Sequence, residues 1–177
     1  MKLFHRELGE GQPLILLHGI FGSSDNWLTQ ARMLSAEFRT YALDLRNHGQ
    51  SPHDEVFDYP VMAADVLEFI ETNNIVDPVL IGHSMGGKVA MLFACRHALR
   101  VERLVVVDIA PKDYLSHGHR AEFAAMNELR LEGLQSRGEA EMKLEGRVPD
   151  WAMLMAGKMR FSASSRSSVT SELPVPL

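Results

Sequence analysis

Four short apolar runs separated by stretches of helical periodicity constrain this 177-residue chain more than any other feature. That alternation is what parallel strands linked by covering helices leave in a sequence. The runs are PLILL at 13–17, RTYALDL at 39–45, PVLIG at 78–82 and VERLVVVDI at 101–109, and residues 2–8 supply an edge strand ahead of them. The first is apolar throughout, as a strand covered on both faces requires. Between the runs, Ser23 or Ser24 can cap a helix carrying Trp27, Leu28, Ala31 and Leu34 on one face. Asp58 can cap a second, with Pro60 in its first turn and Met62, Val66, Phe69 and Ile70 facing inward, opposite Asp65, Glu68 and Glu71. A third spans about Met85 to Ala98. The fold class is α/β, a mostly parallel sheet flanked by helices.

The strand signal stops after Pro111, so residues 1–111 are expected to form the core. Residues 112–160 are helix-forming sequence rich in Glu, Met and Ala, with breaks expected at Gly118, Gly133, Gly138 and Pro149. Six serines between Ser162 and Ser171, followed by ELPVPL, mark 161–177 as an unstructured tail.

Composition removes several function classes. With 18 Lys and Arg against 23 Asp and Glu, the net charge is -5 and there is no basic field for nucleic acid or an anionic membrane. No run approaches the roughly 18 apolar residues of a membrane span, and no secretory leader is visible. The single cysteine, Cys95, cannot form an internal disulfide and is expected to be a small buried apolar residue. A reducing, cytoplasmic setting follows.

The chemistry lies in Gly82-His83-Ser84-Met85-Gly86, a G-x-S-x-G between an apolar run and a helix. There a serine occupies a strained strand-to-helix turn that lifts its hydroxyl above the sheet edge. The same residues through Lys88 also satisfy G-x-x-x-x-G-K, and Leu104–Asp108 resembles the apolar run plus Asp that holds Mg²⁺ in nucleotide hydrolases. That reading fails at Val89, where a phosphate loop needs a Ser or Thr hydroxyl. Acyl transfer needs two amide donors at the oxyanion. Met85 supplies one, and the glycine-rich turn His18–Ser23 the other, from Ile20 ahead of Phe21. The alternative for that turn is a plain strand-to-helix connection. His18 is expected to brace the turn rather than act as a base.

HGIFGS at 18–23, DLRNHGQS at 44–51, Asp58-Tyr59-Pro60, IGHSMGGKVA at 81–90 and VVVDIAP at 105–111 together resemble the α/β-hydrolase superfamily, and within it the YbfF-type esterases. The similarity runs to about residue 112 and continues weakly to about 160 through a stretch like the family's helical lid. The resemblance implies an α/β-hydrolase fold whose last strands are missing, and a serine hydrolase of small to medium carboxylic esters or thioesters with no cofactor and no metal. It implies Ser84 as nucleophile, Ile20 (or Phe21) and Met85 as oxyanion donors, and Asp108 as the acid of the triad in those members that carry it at the end of this strand, others carrying it one strand later. An Asp ending a strand can equally brace the Ile109-Ala110-Pro111 turn. Asp44, Arg46 and His48 are expected to lock the loop after their strand.

The family's catalytic histidine follows a final strand, and no histidine follows His119 in these residues. His83 should point away from the Ser84 hydroxyl, and His117 and His119 are the two that could swing over the site. The implied enzyme is therefore crippled, and a non-catalytic relative that binds acyl ligands is the alternative. Without later strands, Leu104–Val107 becomes a bare apolar edge that invites self-association.

Overall fold

The computed structural model describes residues 1–112, 124–125, 128–129, 133 and 135–144. The lid-like stretch for the most part, the tail at 161–177, His117 and His119 lie outside the described residues. A first compact unit runs over Met1–Pro111 and a second begins at Lys112.

The first unit is built on five strands: β1 (His5–Leu8), β2 (Gln12–Leu17), β3 (Phe38–Leu43), β4 (Val79–His83) and β5 (Arg103–Val107). Their order in the sheet is β1-β3-β2-β4-β5, with β1 antiparallel to β3 and every other pair parallel. The apolar runs mark these strands with ends displaced by at most two residues, except that residues 2–4 do not join β1. Helices α1 (Leu28–Leu34), α2 (Tyr59–Thr72) and α3 (Met85–Arg96) connect them. A short 3₁₀ turn, Ser24–Trp27, precedes α1, and Ser23 caps it in a reciprocal box with Asn26.

Alternation along β2 explains why PLILL is apolar at every position. Ile15 and Leu17 face the cluster formed with α2 and α3, including Val66, Ile70, Val89 and Phe93. Leu14 and Leu16 face the opposite side, against Ala31 of α1 and Ala42. All four are buried. A strand covered on both faces has no polar side to show.

Two expectations fail for reasons of helical phase. Asp65 is buried at 3 % exposure, not outward, because it lies three residues after Met62 and four before Phe69 on the inward stripe of α2. Cys95 is exposed, since the buried residues of α3 are Met85, Gly86, Gly87, Val89, Ala90 and Phe93, and two residues past Phe93 is the far side.

The strand order positions the site. From β2 the chain moves outward to β3, then crosses back to place β4 on the other flank of β2, with Leu17 opposite Gly82. The turns leaving β2 and β4 therefore emerge side by side at the carboxyl end of the sheet, where open α/β sheets bind ligands. Among the described residues β5 pairs only with β4, and its Leu104, Val105 and Val107 are exposed.

In the second unit, α4 (Arg137–Leu144) is capped by Ser136, whose hydroxyl accepts the Glu139 amide, while the Glu139 carboxylate accepts the Gln135 amide. Gly138 lies in the first turn of α4 rather than breaking it. Lys143 and Glu139 pair at 2.8 Å across one turn.

Candidate active site

Ser84 stands between the last residue of β4 and the first of α3 at φ 50° and ψ -114°. A β-carbon there opposes the left-handed side of backbone space, so surrounding structure must hold the strain. Its amide donates to Val107 O at 3.0 Å and its carbonyl accepts from Lys88 N–H at 3.1 Å. The hydroxyl caps nothing and makes no hydrogen bond among the described residues. It is half-buried at the start of α3, where unpaired helix amides and the helix dipole favour negative charge.

The flanking glycines are there because backbone fills the space of their side chains. A β-carbon at Gly82 would lie 2.3 Å from Gly86 O, and one at Gly86 would lie 2.5 Å from both Leu17 O and His18 O. Strand β2, the elbow and α3 thus meet backbone to backbone. The Gly86 amide donates to His18 O at 3.1 Å and ties α3 to the turn after β2.

That turn faces the serine. A β-carbon at Gly19 would stand 3.2 Å from Ser84 Cβ and 2.9 Å from His83 Nδ1. The Gly22 amide closes the turn on Gly19 O at 3.0 Å, and Phe21 takes φ 61° within it. The Ile20 and Met85 amides, the two expected oxyanion donors, have no acceptor among the described residues. The third expected donor, Phe21, sits in the same turn.

His18 is buried at 1 % exposure. Its Nε2 accepts the Leu45 amide at 3.0 Å, so the proton is on Nδ1, which donates to Gly19 O at 2.7 Å. Burial, helped by neighbouring His48 and opposed by the bond to Gly19, pushes its pKa down to about 3. It is a neutral brace of fixed tautomer.

The loop after β3 is locked from within. Buried Asp44 accepts from Ser24 N–H at 2.5 Å and Gln50 N–H at 2.7 Å, joining the loops that follow β2 and β3. Arg46 donates to both oxygens of Asp65, at 2.6 and 2.9 Å, and to Val56 O at 2.6 Å. His48 Nδ1 bonds Arg46 O at 2.8 Å, its ring packs 5.0 Å from that of His18, and burial lowers its pKa. None of the three side chains is turned outward as a free ligand. Asp65, expected on the outer face of α2, is instead the buried partner of Arg46, and its place on the apolar stripe is the signal of a charge in need of one.

Asp108 follows β5 at φ 56°, with its side chain 85 % exposed. Its carboxylate lies 3.8 Å from His83 Nε2. His83 thus sits between Gly19 and Asp108 at the rim of the site, a placement the sequence did not reveal. No histidine among the described residues bonds the Ser84 hydroxyl. Nor do three His, Cys, Asp or Glu side chains gather to hold a metal among them. Val89, where a phosphate loop would need a hydroxyl, is fully buried in the core.

The model of the alpha/beta hydrolase fold matches residues 12–139. The sn-1-specific diacylglycerol lipase ABHD11 of Xenopus laevis is 46% identical over 133 residues, which are 73% of this chain and 43% of that protein. Esterase YbfF of Escherichia coli strain K12 is 41% identical over 128 residues, 72% of this chain and 50% of that one. A solved structure described as a marine microorganism esterase superposes with a TM-score of 0.81 at 41% identity, covering 88% of this chain and 62% of its own. The chain spans about half the length of the curated relatives it matches.

Proposed function

This chain belongs to the alpha/beta hydrolase fold family, with esterases and lipases among its relatives, and we propose that Ser84 is the nucleophile of a carboxylic ester or thioester hydrolase acting through an acyl-enzyme. The observation that carries this reading is the strained elbow at Ser84 facing a turn whose Ile20 amide has no acceptor among the described residues. Attack of the hydroxyl oxygen on the substrate carbonyl forms a tetrahedral centre whose oxyanion takes hydrogen bonds from the Met85 amide and the Ile20 amide, with Phe21 the substitute donor. Collapse expels the alcohol or thiol and leaves an acyl group on Ser84, which water then removes. Asp108, at the carboxyl end of β5, is the proposed acid of the triad.

The base that takes the Ser84 proton is not among the described residues. Loss of the histidine of such a triad costs roughly 2 × 10⁶ in turnover, while binding and the oxyanion donors retain about 10³ to 10⁴ over water. A chain in which no histidine serves the site would acylate slowly, yet still at Ser84. Incubation with short aryl esters and acyl thioesters, followed by intact mass and peptide mapping, should find one acyl group on Ser84 and none in Ser84→Ala. Ser84 unmodified in a chain that is folded by circular dichroism supports the second reading, a non-catalytic acyl-binding relative, which the lack of a histidine bonded to Ser84 among the described residues favours.

A further inference from the structure

We infer that His18 is the positioning residue of the oxyanion site, its imidazole fixing the Gly19–Ile20 peptide so that the Ile20 amide is presented to the acyl oxygen on Ser84. This rests on the reading of Ser84 as nucleophile. The Gly19 carbonyl is held on one side by His18 Nδ1 at 2.7 Å and the Gly22 amide at 3.0 Å. The peptide is trans, so its N–H points the opposite way from its C=O, and holding one orients the other. Rotation of this peptide would turn the Ile20 donor off the site.

The ring cannot turn away, because Nε2 is pinned by the Leu45 amide at 3.0 Å and the ring is enclosed. The His18 carbonyl meanwhile accepts the Gly86 amide, the second one past the nucleophile. One residue therefore fixes the distance between turn and elbow through its backbone and the direction of the donor through its side chain. The strand after β2 could be connected without an imidazole. Only a group that donates at one end and accepts at the other can join Gly19 O to Leu45 N–H.

Two variants separate the ends of the ring. Asn places an amide N–H near the Nδ1 position, so His18→Asn keeps the hold on Gly19 O and leaves the buried Leu45 amide unpaired. Gln reaches the Nε2 position with a carbonyl, so His18→Gln keeps Leu45 paired and frees Gly19 O from the ring. An unpaired buried amide is costly, so the Asn variant should have the lower melting temperature. Reactivity should run the other way. At saturating fluorophosphonate, the rate of Ser84 modification should fall about ten- to hundred-fold in His18→Gln, short of the loss of a whole donor, and by less than about threefold in His18→Asn.

Nitrogen-15 NMR of the full chain supplies a readout independent of reactivity. The His18 ring should show the Nδ1-protonated tautomer, and the Ile20 amide resonance should shift in His18→Gln and hold its position in His18→Asn. An Nε2-protonated ring, or labelling rates that follow melting temperature in both variants, would overturn the inference. Absence of labelling in the unmodified chain, with the Ile20 shifts as described, would instead count against Ser84 as nucleophile and still support the hold of His18 on the peptide.

Discussion

His18 is where burial, tautomer and turn geometry meet in one side chain. It is neutral in the fold, with a pKa brought down to about 3 by burial first and by His48 second, and it regains an ordinary value near 6.5 on unfolding. The unfolded chain therefore binds the extra proton as pH falls. The contribution of His18 is intact above about pH 6.5 and is lost progressively toward about pH 3. Between pH 7 and pH 5 this amounts to about 2 kcal/mol of stability. His48, also shifted downward by burial, adds in the same direction. Urea titrations at the two pH values should show that loss, and His18→Asn should lose about 2 kcal/mol less between them. Equal pH dependence of the two proteins would contradict a buried neutral His18. At this scale the sequence was legible for the placement of residues set in motifs, Ser84 at a strained strand-to-helix turn and Asp44 within a locked loop among them. It misled for Asp65 and Cys95, because residue chemistry was weighed above helical phase. A carboxylate on an apolar stripe and a thiol off it both ran against composition.

At the scale of elements, the elbow holds its strain because three backbone segments interlock through glycines. Gly86→Ala would drive a methyl group against Leu17 O and His18 O, backbone atoms that cannot swing aside. Overpacking of this kind costs about 1–3 kcal/mol, and α3 would move off the turn, lengthening the bond from the Gly86 amide to His18 O. Denaturant unfolding and Ser84 labelling should both suffer, the labelling by more than the stability loss accounts for. A variant as stable and as reactive as the parent would mean that the close approach of α3 is not needed. Apolar runs announced β2, β3 and β4 because each buries alternate residues on opposite faces of the sheet, as β2 does with Ile15 and Leu16, whereas β5 is apolar yet exposed. Strand ends were harder to place. Leu45 reads as strand because it is apolar, yet it lies past the end of β3 and is buried within the loop that Asp44 and Arg46 lock. Likewise, the pairing of His83 with Asp108 comes from β4 and β5 lying side by side, which no local spacing encodes.

At the scale of the whole molecule, the chain carries the strained turn at Ser84 and the glycine-rich turn facing it within about half the length of its curated relatives. Among the described residues β5 ends the sheet with Val105 43 % and Val107 38 % exposed, and unpaired strand edges of this kind associate. Sedimentation of the 177-residue chain should show dimers or larger species that Val105→Lys shifts toward monomer. Identical sedimentation of the two would remove β5 as the contact. The most direct test of the account is peptide-mapped labelling with a fluorophosphonate. The account predicts one phosphonyl group on the peptide containing Ser84, absent after Ser84→Ala in protein of unchanged fold. A folded chain that takes up no label at Ser84, or is labelled equally in the Ala variant, would contradict it.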